Sequence, residues 1–191
     1  MDSAASDETL VTRYAAGDVA AFQALYDRHE QPLWRFLLRL ARNRADAEEL
    51  MQETWFAVTR EAPRFRPDGR FAPWLYSIAR NRVIDRHRAA RPTLSLDGVD
   101  GPDDEPLAAR LADPASPTPP VATEQLQQGA AILAALQQLP AEQCEAFVLQ
   151  VDAGLSVEDI ATATGTTFET AKSRLRYARE KLRVLLRAYA P

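Results

Sequence analysis

Through the N-terminal half of the chain, apolar residues recur at helical spacing, and no stretch alternates apolar with polar as a half-buried strand would. Leu10, Tyr14, Phe22, Leu25 and Tyr26 form one series; Leu33, Phe36, Leu37 and Leu40 form a second after Pro32. The pattern predicts two amphipathic helices divided at that proline, which lacks a backbone donor. Arg44-Ala45-Asp46-Ala47-Glu48-Glu49 opens a third helix with acid in its first turn, where the helix dipole favours it. Leu50, Phe56 and Val58 are expected to supply its apolar contacts before Pro63, and a fourth helix is predicted from about Pro73 to Arg88.

Helix boundaries are explicit in the last third. Leu139-Pro140 ends one helix, Ser156-Val157-Glu158-Asp159 has the form of an N-cap box, Gly165 ends a very short helix, and Thr167 caps a long basic one. A short helix, a glycine-containing turn and a second helix carrying Lys and Arg is the outline of a helix-turn-helix, here Ser156 to Leu186.

Composition narrows the class. The chain has 191 residues, 46% hydrophobic and 26% charged, which is enough apolar material for a packed core. No apolar run approaches the roughly 18 residues that span a bilayer, and the N-terminus Met1-Asp2-Ser3-Ala4-Ala5-Ser6-Asp7-Glu8 is acidic, unlike a secretory leader. A cytoplasmic protein without membrane insertion is expected. Cys144 alone closes no intramolecular disulfide, and with His29 and His87 it makes no ordinary His/Cys metal cluster, so neither metal nor cofactor is expected. Burial as a small apolar residue is the default reading of Cys144.

Charge is distributed unevenly. Residues 1–91 hold 15 Lys/Arg and 13 Asp/Glu, residues 92–124 hold 1 and 7, and residues 125–191 hold 7 and 7, for a net charge of −4. An acidic total disfavours autonomous non-specific DNA binding, which rests on many phosphate-neutralising cations. The Pro- and Asp-rich middle reads as a tether, since long structureless loops are uncommon inside compact domains. The expected architecture is therefore all-α: two small helical domains, 1–91 and 125–191, joined by a flexible acidic linker, 92–124.

Three segments carry candidate chemistry. Lys172, Arg174, Arg176, Arg179, Lys181, Arg183 and Arg187 are all the basic residues of the C-terminal segment and fall on the second helix of the helix-turn-helix. A solvated charged face is the rival reading, but the preceding Ser156–Gly165 unit favours DNA, with Thr167, Thr170, Lys172, Ser173, Arg176, Tyr177 and Arg179 as candidate readers. Leu175, Leu182 and Leu186 form the core side of that helix. Phe65-Arg66-Pro67-Asp68-Gly69-Arg70-Phe71 and the helix after it interleave aromatics with arginines, a combination suited to single-stranded DNA. Trp74 and Leu75 are better read as core; Phe65, Arg66, Asp68, Arg70, Phe71, Arg80, Asn81 and Arg88 are the candidate contacts. Asp46, Glu49 and Glu53 share one helical face, with Leu50 and Gln52 beside them. That face could meet a basic partner helix or simply be solvated; no nucleophile, metal set or phosphate-cradling loop accompanies it, so it is not read as an active site.

Taken together and in this order, the segments resemble the extracytoplasmic-function (ECF) σ-factor family over almost the whole chain. Asp46-Ala47-Glu48-Glu49-Leu50-Met51-Gln52-Glu53 resembles its polymerase-binding helix, Phe71-Ala72-Pro73-Trp74-Leu75-Tyr76-Ser77-Ile78-Ala79-Arg80-Asn81 its −10 segment, and Gly154-Leu155-Ser156-Val157-Glu158-Asp159-Ile160-Ala161 with Thr170-Ala171-Lys172-Ser173-Arg174-Leu175 its −35 reader. The resemblance implies a non-enzymatic subunit that docks on the β′ clamp helices and β flap of RNA polymerase core. It further implies capture of a flipped non-template base by the loop from Phe65 to Phe71 with Asn81, a duplex-reading C-terminal helix, an acidic linker in the polymerase cleft, and an anti-σ partner. Tyr177 stands where many members carry Arg, and Arg176 where an aromatic or His is usual, so the −35 sequence is not carried over. The competing reading is a helix-turn-helix regulator that acts without polymerase and binds duplex DNA by itself. A carboxylate-based hydrolase using Glu49 and Glu53 would need a pocket the sequence does not advertise.

Overall fold

The structure, a computed structural model, describes residues 5–41, 43–66, 68–90 and 121–187; side chains are described outside 90 and 121–128. Most of the acidic linker and the N-terminal Met1–Ala4 lie outside the described residues. Among the described residues there are eight α-helices and no strand: α1 Asp7–Ala15, α2 Val19–Leu40, α3 Arg44–Glu61, α4 Phe71–Ala90, α5 Val121–Gln137, α6 Ala141–Val151, α7 Val157–Thr164 and α8 Phe168–Leu185, with one 3-10 turn at Ala62–Arg64. None of them is long and apolar enough to cross a membrane.

The first helical boundary differs from the one the proline predicts. Ser6 caps α1 by accepting from Thr9 N–H, and the chain turns at Gly17, whose φ of 102° is open to glycine, into Asp18, which caps α2. Arg13 holds that turn by pairing with Asp18 at 2.6 Å. The helix α2 then runs straight through Pro32. An interior proline costs about 3 kcal/mol. Here Leu25 before it and Leu33, Phe36 and Leu37 after it are all fully buried, so one apolar face spans the proline and keeps the helix whole.

Asn43 caps α3 through Asp46 N–H. Phe71 opens α4 slightly earlier than its proline suggests, and its backbone N–H donates to the Glu8 carboxylate at 3.1 Å, so α1 satisfies an orphan donor of α4. In the C-terminal part the expected caps are in place: Ser156 and Asp159 form a reciprocal capping box, Gly165 closes α7 in the left-handed conformation at φ 64°, and Thr167 accepts from Thr170 N–H to start α8.

A single buried cluster contains Phe36, Leu75 and Tyr76 from the N-terminal helices and Leu149, Ile160 and Leu175 from the C-terminal ones. The helix α7 packs along α4, and α6 against α2. A smaller cluster of Leu133, Leu136, Leu139, Ala178 and Leu182 seats α5 on α8. The two helical sets thus pack against each other in this structure.

Candidate polymerase and promoter interfaces

The acidic face of α3 is gripped from a second helix. Arg86 on α4 reaches Asp46 at 3.1 Å, Glu49 at 2.6 Å and Glu53 at 2.9 Å. Glu49, Gln52 and Glu53 remain exposed, whereas Leu50 is only 1% exposed and supports the face from below, a correction to its expected place at the interface. Helical period explains it: Ala47, Leu50, Thr54 and Val58 form the inward stripe of α3. Phe56, expected in the core, is 72% exposed. With Phe22, Tyr26, Met51, Gln52 and Trp55 it lines an apolar groove of about 300 Å³, and the buried Trp55 Nε1 has no hydrogen-bond partner among the described residues. No signal in a single sequence shows that α2 and α3 bring these residues together.

The loop before α4 is organised by its own polar groups. Arg66 forks onto Asp68 at 2.9 and 3.2 Å, which holds the exposed Asp68 carboxyl below its usual pKa, and Gly69 N–H donates to Arg66 C=O at 2.9 Å. A Cβ at Gly69 would sit 3.1 Å from that same carbonyl oxygen, which is why a side chain fits poorly there. The Phe65 ring is half-buried edge-on against Trp74 at 5.0 Å. Phe71 is 0% exposed between Phe65, Trp74 and His29, so of the two loop phenylalanines Phe71 is core, contrary to its expected contact role. Leu75 is buried as expected and Trp74 is partly so.

The polar and cationic candidates on this surface divide in two. Asn81 and Arg88 are exposed on α4. Arg70 and Arg80 instead meet carboxylates of the C-terminal helices, Arg70 with Asp159 at 2.6 Å and Arg80 with Glu145 at 2.8 Å. Burial raises the Glu145 pKa, against the opposing pull of Arg80 and, further off, Arg174. A cleft of about 310 Å³ between α4 and α6 is lined by Leu40, Arg80, His87, Arg88, Glu142 and Glu145.

On α8 the two faces separate cleanly. Ala171, Leu175, Ala178 and Leu182 are buried, while Thr167, Thr170, Lys172, Arg176, Tyr177 and Arg179 are exposed and Ser173 is half-exposed. Arg176 stacks on the Tyr177 ring at 4.7 Å and donates to its hydroxyl at 2.9 Å, which holds both side chains in one geometry. Lys172 lies 3.7 Å from Glu169 and over the Phe168 ring at 5.6 Å, and Arg179 donates to Gln150 on α6. Cys144 is half-buried, and burial pushes its thiol up to about 11, which suits a packing residue rather than a nucleophile.

Known families match the same two parts of the chain. The Sigma-70 region 2 family matches residues 25–93, and the Sigma-70 region 4 family matches residues 129–182. The chain is similar to the RNA polymerase sigma factor CarQ of Myxococcus xanthus, with 37% identity over 91% of this chain and 94% of CarQ. It is also similar to the ECF RNA polymerase sigma factor SigM of Mycobacterium tuberculosis, with 34% identity over 95% of this chain and 85% of SigM. Among solved structures, the sigma factor RpoE of Bartonella quintana, in complex with the anti-sigma factor NepR, superposes with a TM-score of 0.71 at 26% identity, covering 87% of this chain and 96% of RpoE. CnrH, solved with the cytosolic domain of CnrY, shares the fold with a TM-score of 0.69 at 24% identity, over 96% of this chain and 99% of CnrH. With both sigma regions matched in order and relatives aligned along nearly their full length, the chain belongs to the ECF RNA polymerase sigma factors of the sigma-70 family.

Proposed function

We propose that this chain binds RNA polymerase core and directs promoter-specific initiation, with three surfaces in separate roles. The observation that carries the reading is the joint presence, on one chain, of an exposed acidic face on α3, an arginine- and aromatic-rich surface at the start of α4, and a helix-turn-helix with a basic outer face. Glu49, Gln52 and Glu53, with Asp46 behind them, meet the β′ clamp helices, and the C-terminal helices meet the β flap. Phe65, Arg66, Asp68, Arg70, Arg80, Asn81 and Arg88 hold the opened −10 strand. In that role arginines neutralise phosphates, while Asn81 offers paired hydrogen bonds to a base edge. Thr167, Thr170, Lys172, Ser173, Arg176, Tyr177 and Arg179 read the −35 duplex, with the N-terminal turn of α8 nearest the bases.

In this reading residues 1–91 and 125–191 work as two functional units joined by the acidic segment, and the protein acts in the cytoplasm without catalysing a reaction itself. RpoE is solved with an anti-sigma factor. An anti-sigma protein is accordingly proposed as a further partner here.

Multi-round transcription by purified bacterial core polymerase on a randomised promoter library, with and without this protein, tests the proposal. Protein-dependent starts that share spaced −35 and −10 motifs are expected. No such starts, together with tight duplex binding by the protein alone, would replace it with an autonomous helix-turn-helix regulator.

A further inference from the structure

We propose that Glu8 is a positioning residue for −10 recognition: without touching DNA, it aims the loop from Phe65 to Phe71 by capping the helix from which that loop hangs. This rests on the assignment of the loop to the −10 strand made above. Glu8 lies N-terminal to residues 25–93, the part of the chain that the Sigma-70 region 2 family matches.

Acid in the first turn of a helix is favoured by that helix's own dipole, and Asp7 and Glu8 stand there in α1. Both carboxylates nevertheless reach beyond α1, and both act on Phe71. Glu8 Oε1 accepts from Phe71 N–H at 3.1 Å. Asp7 Oδ2 pairs with His29 Nε2 at 2.7 Å, and the His29 ring packs on the Phe71 ring with centroids 5.2 Å apart. The same helix also backs the start of the loop. It packs against the 3-10 turn Ala62–Arg64, and Phe65 N–H donates to Ala62 C=O at 3.1 Å. Leu10 and Val11 are fully buried and seat α1 in the core, so both ends of the loop are braced by one anchored element.

The cap at Phe71 has no local source. The residue before a helix usually offers a side-chain oxygen to the first free N–H groups. Arg70 occupies that place before α4, and a guanidinium carries donors only. Glu8 supplies the acceptor from 63 residues away. The effect is directional, because the Arg70–Phe71 peptide is planar. Its N–H is held by Glu8 and its C=O accepts from Trp74 N–H at 3.4 Å, which fixes the direction in which Arg70 and the loop leave α4. Contacts inside the loop, Arg66 with Asp68 and Gly69 N–H with Arg66 C=O, join near neighbours and shape it without aiming it.

Selecting one base requires the contacting groups to be held within about 0.5 Å. Phosphate contacts carry no sequence information. Loss of the Glu8 cap leaves the first N–H of α4 unpaired and lets Phe65, Arg66 and Arg70 take several orientations. The signature is therefore relaxed base preference at −10 with transcription retained.

The test uses holoenzymes assembled from purified core polymerase and full-length chains: wild type, Glu8→Ala, Glu8→Gln and Arg13→Ala. Glu8→Gln keeps an acceptor oxygen and drops the charge. Arg13→Ala breaks the 2.6 Å pair with Asp18 at the other end of α1, so it loosens the helix without removing the cap. Transcript starts are sequenced on a promoter library randomised at −35 and −10. Circular dichroism reads folding, and amide hydrogen exchange at Phe71 reads the cap.

Glu8→Ala should speed exchange at Phe71 and lower the ratio of best to second-best base at −10 roughly fivefold, with the −35 preference unchanged. Glu8→Gln should keep the wild-type ratio, and so should Arg13→Ala even as stability falls. An unmoved −10 preference in Glu8→Ala, a relaxed one in Glu8→Gln or Arg13→Ala, or an equal relaxation at −35 would each overturn the positioning role. If Glu8→Ala loses helicity, Glu8→Asp, whose carboxylate is one methylene short of Phe71, is read instead with the same expectation. A wild-type holoenzyme without promoter-specific starts would sink the sigma reading itself; specific starts whose −10 preference ignores Glu8 would sink this role alone.

Discussion

Arg86 Nη1 on α4 donates a 2.6 Å hydrogen bond to Glu49 Oε2 on α3, and the same guanidinium reaches Asp46 and Glu53. One cation therefore orders three carboxylates and leaves the outer sides of Glu49 and Glu53 turned to solvent. Arg86 is three-quarters buried, and its hydrogen bond to Glu49 raises its pKa above the ordinary arginine value. Replacing Arg86 by Ala should lower stability by about 1 kcal/mol, since Glu49 and Glu53 are substantially exposed and keep their hydration. It should also weaken core polymerase binding, because the carboxylates lose their common orientation. Urea unfolding and a core-polymerase binding titration check the two effects separately.

The same geometry changes how the acidic face is best probed. Glu49→Arg with Glu53→Arg would place two cations against Arg86, so that variant perturbs the α3–α4 contact as well as any partner. Phe56, at 72% exposure on the rim of the apolar groove, is cleaner. Phe56→Ala should leave stability within about 0.5 kcal/mol and weaken core binding roughly tenfold, as truncation of an exposed aromatic anchor does. Unaltered affinity would remove the groove from the polymerase interface.

Lys172→Ala and Arg176→Ala should each weaken −35 duplex binding while sparing core affinity. If each meets a phosphate, the salt slope of duplex binding should fall by about 1 per variant. Arg176→Lys should not rescue, because the planar stack on Tyr177 and the bond to its hydroxyl are lost with the guanidinium. Simultaneous loss of core binding would indicate a folding defect instead.

Asp7 ties α1 to α2 through Arg28 at 2.8 Å and His29 at 2.7 Å, and the hydrogen bond from His29 is the largest cause of its lowered pKa. A carboxyl depressed in the folded state adds stability that is present above its unfolded pKa and is lost as pH falls through the lower folded value. Wild type should thus exceed Asp7→Asn by about 1–2 kcal/mol at neutral pH. The gap should close as the solution is acidified from the unfolded value of 3.8 downward, as read by urea unfolding across pH.

Cys144 should alkylate slowly at neutral pH, since its thiol is pushed up to about 11 and packed against the core. Under denaturing conditions the same reagent should react at the rate of a free thiol. Rapid labelling of the folded chain would contradict the burial described for α6.

Local rules made much of this protein readable from its residues alone. The capping box at Ser156 and Asp159, the left-handed Gly165 and the Thr167 cap depend on neighbours within a few residues, so the helix-turn-helix was legible before any fold. The acidic face of α3 was equally so, because positions three and four apart share a helix side. What the sequence did not reveal depends on distant packing. Pro32 lies inside α2 because the core rewards an uninterrupted apolar face; Leu50 and Phe71 turn inward and Phe56 outward according to what the neighbouring helices cover. Arg86 meets α3 from 33 to 40 residues away, and Arg80 and Arg70 find their carboxylates 65 and 89 residues away. Hydrophobic period and capping chemistry act along the chain and fix the helices; which charges face each other is set by how those helices pack, and only the tertiary structure decides it.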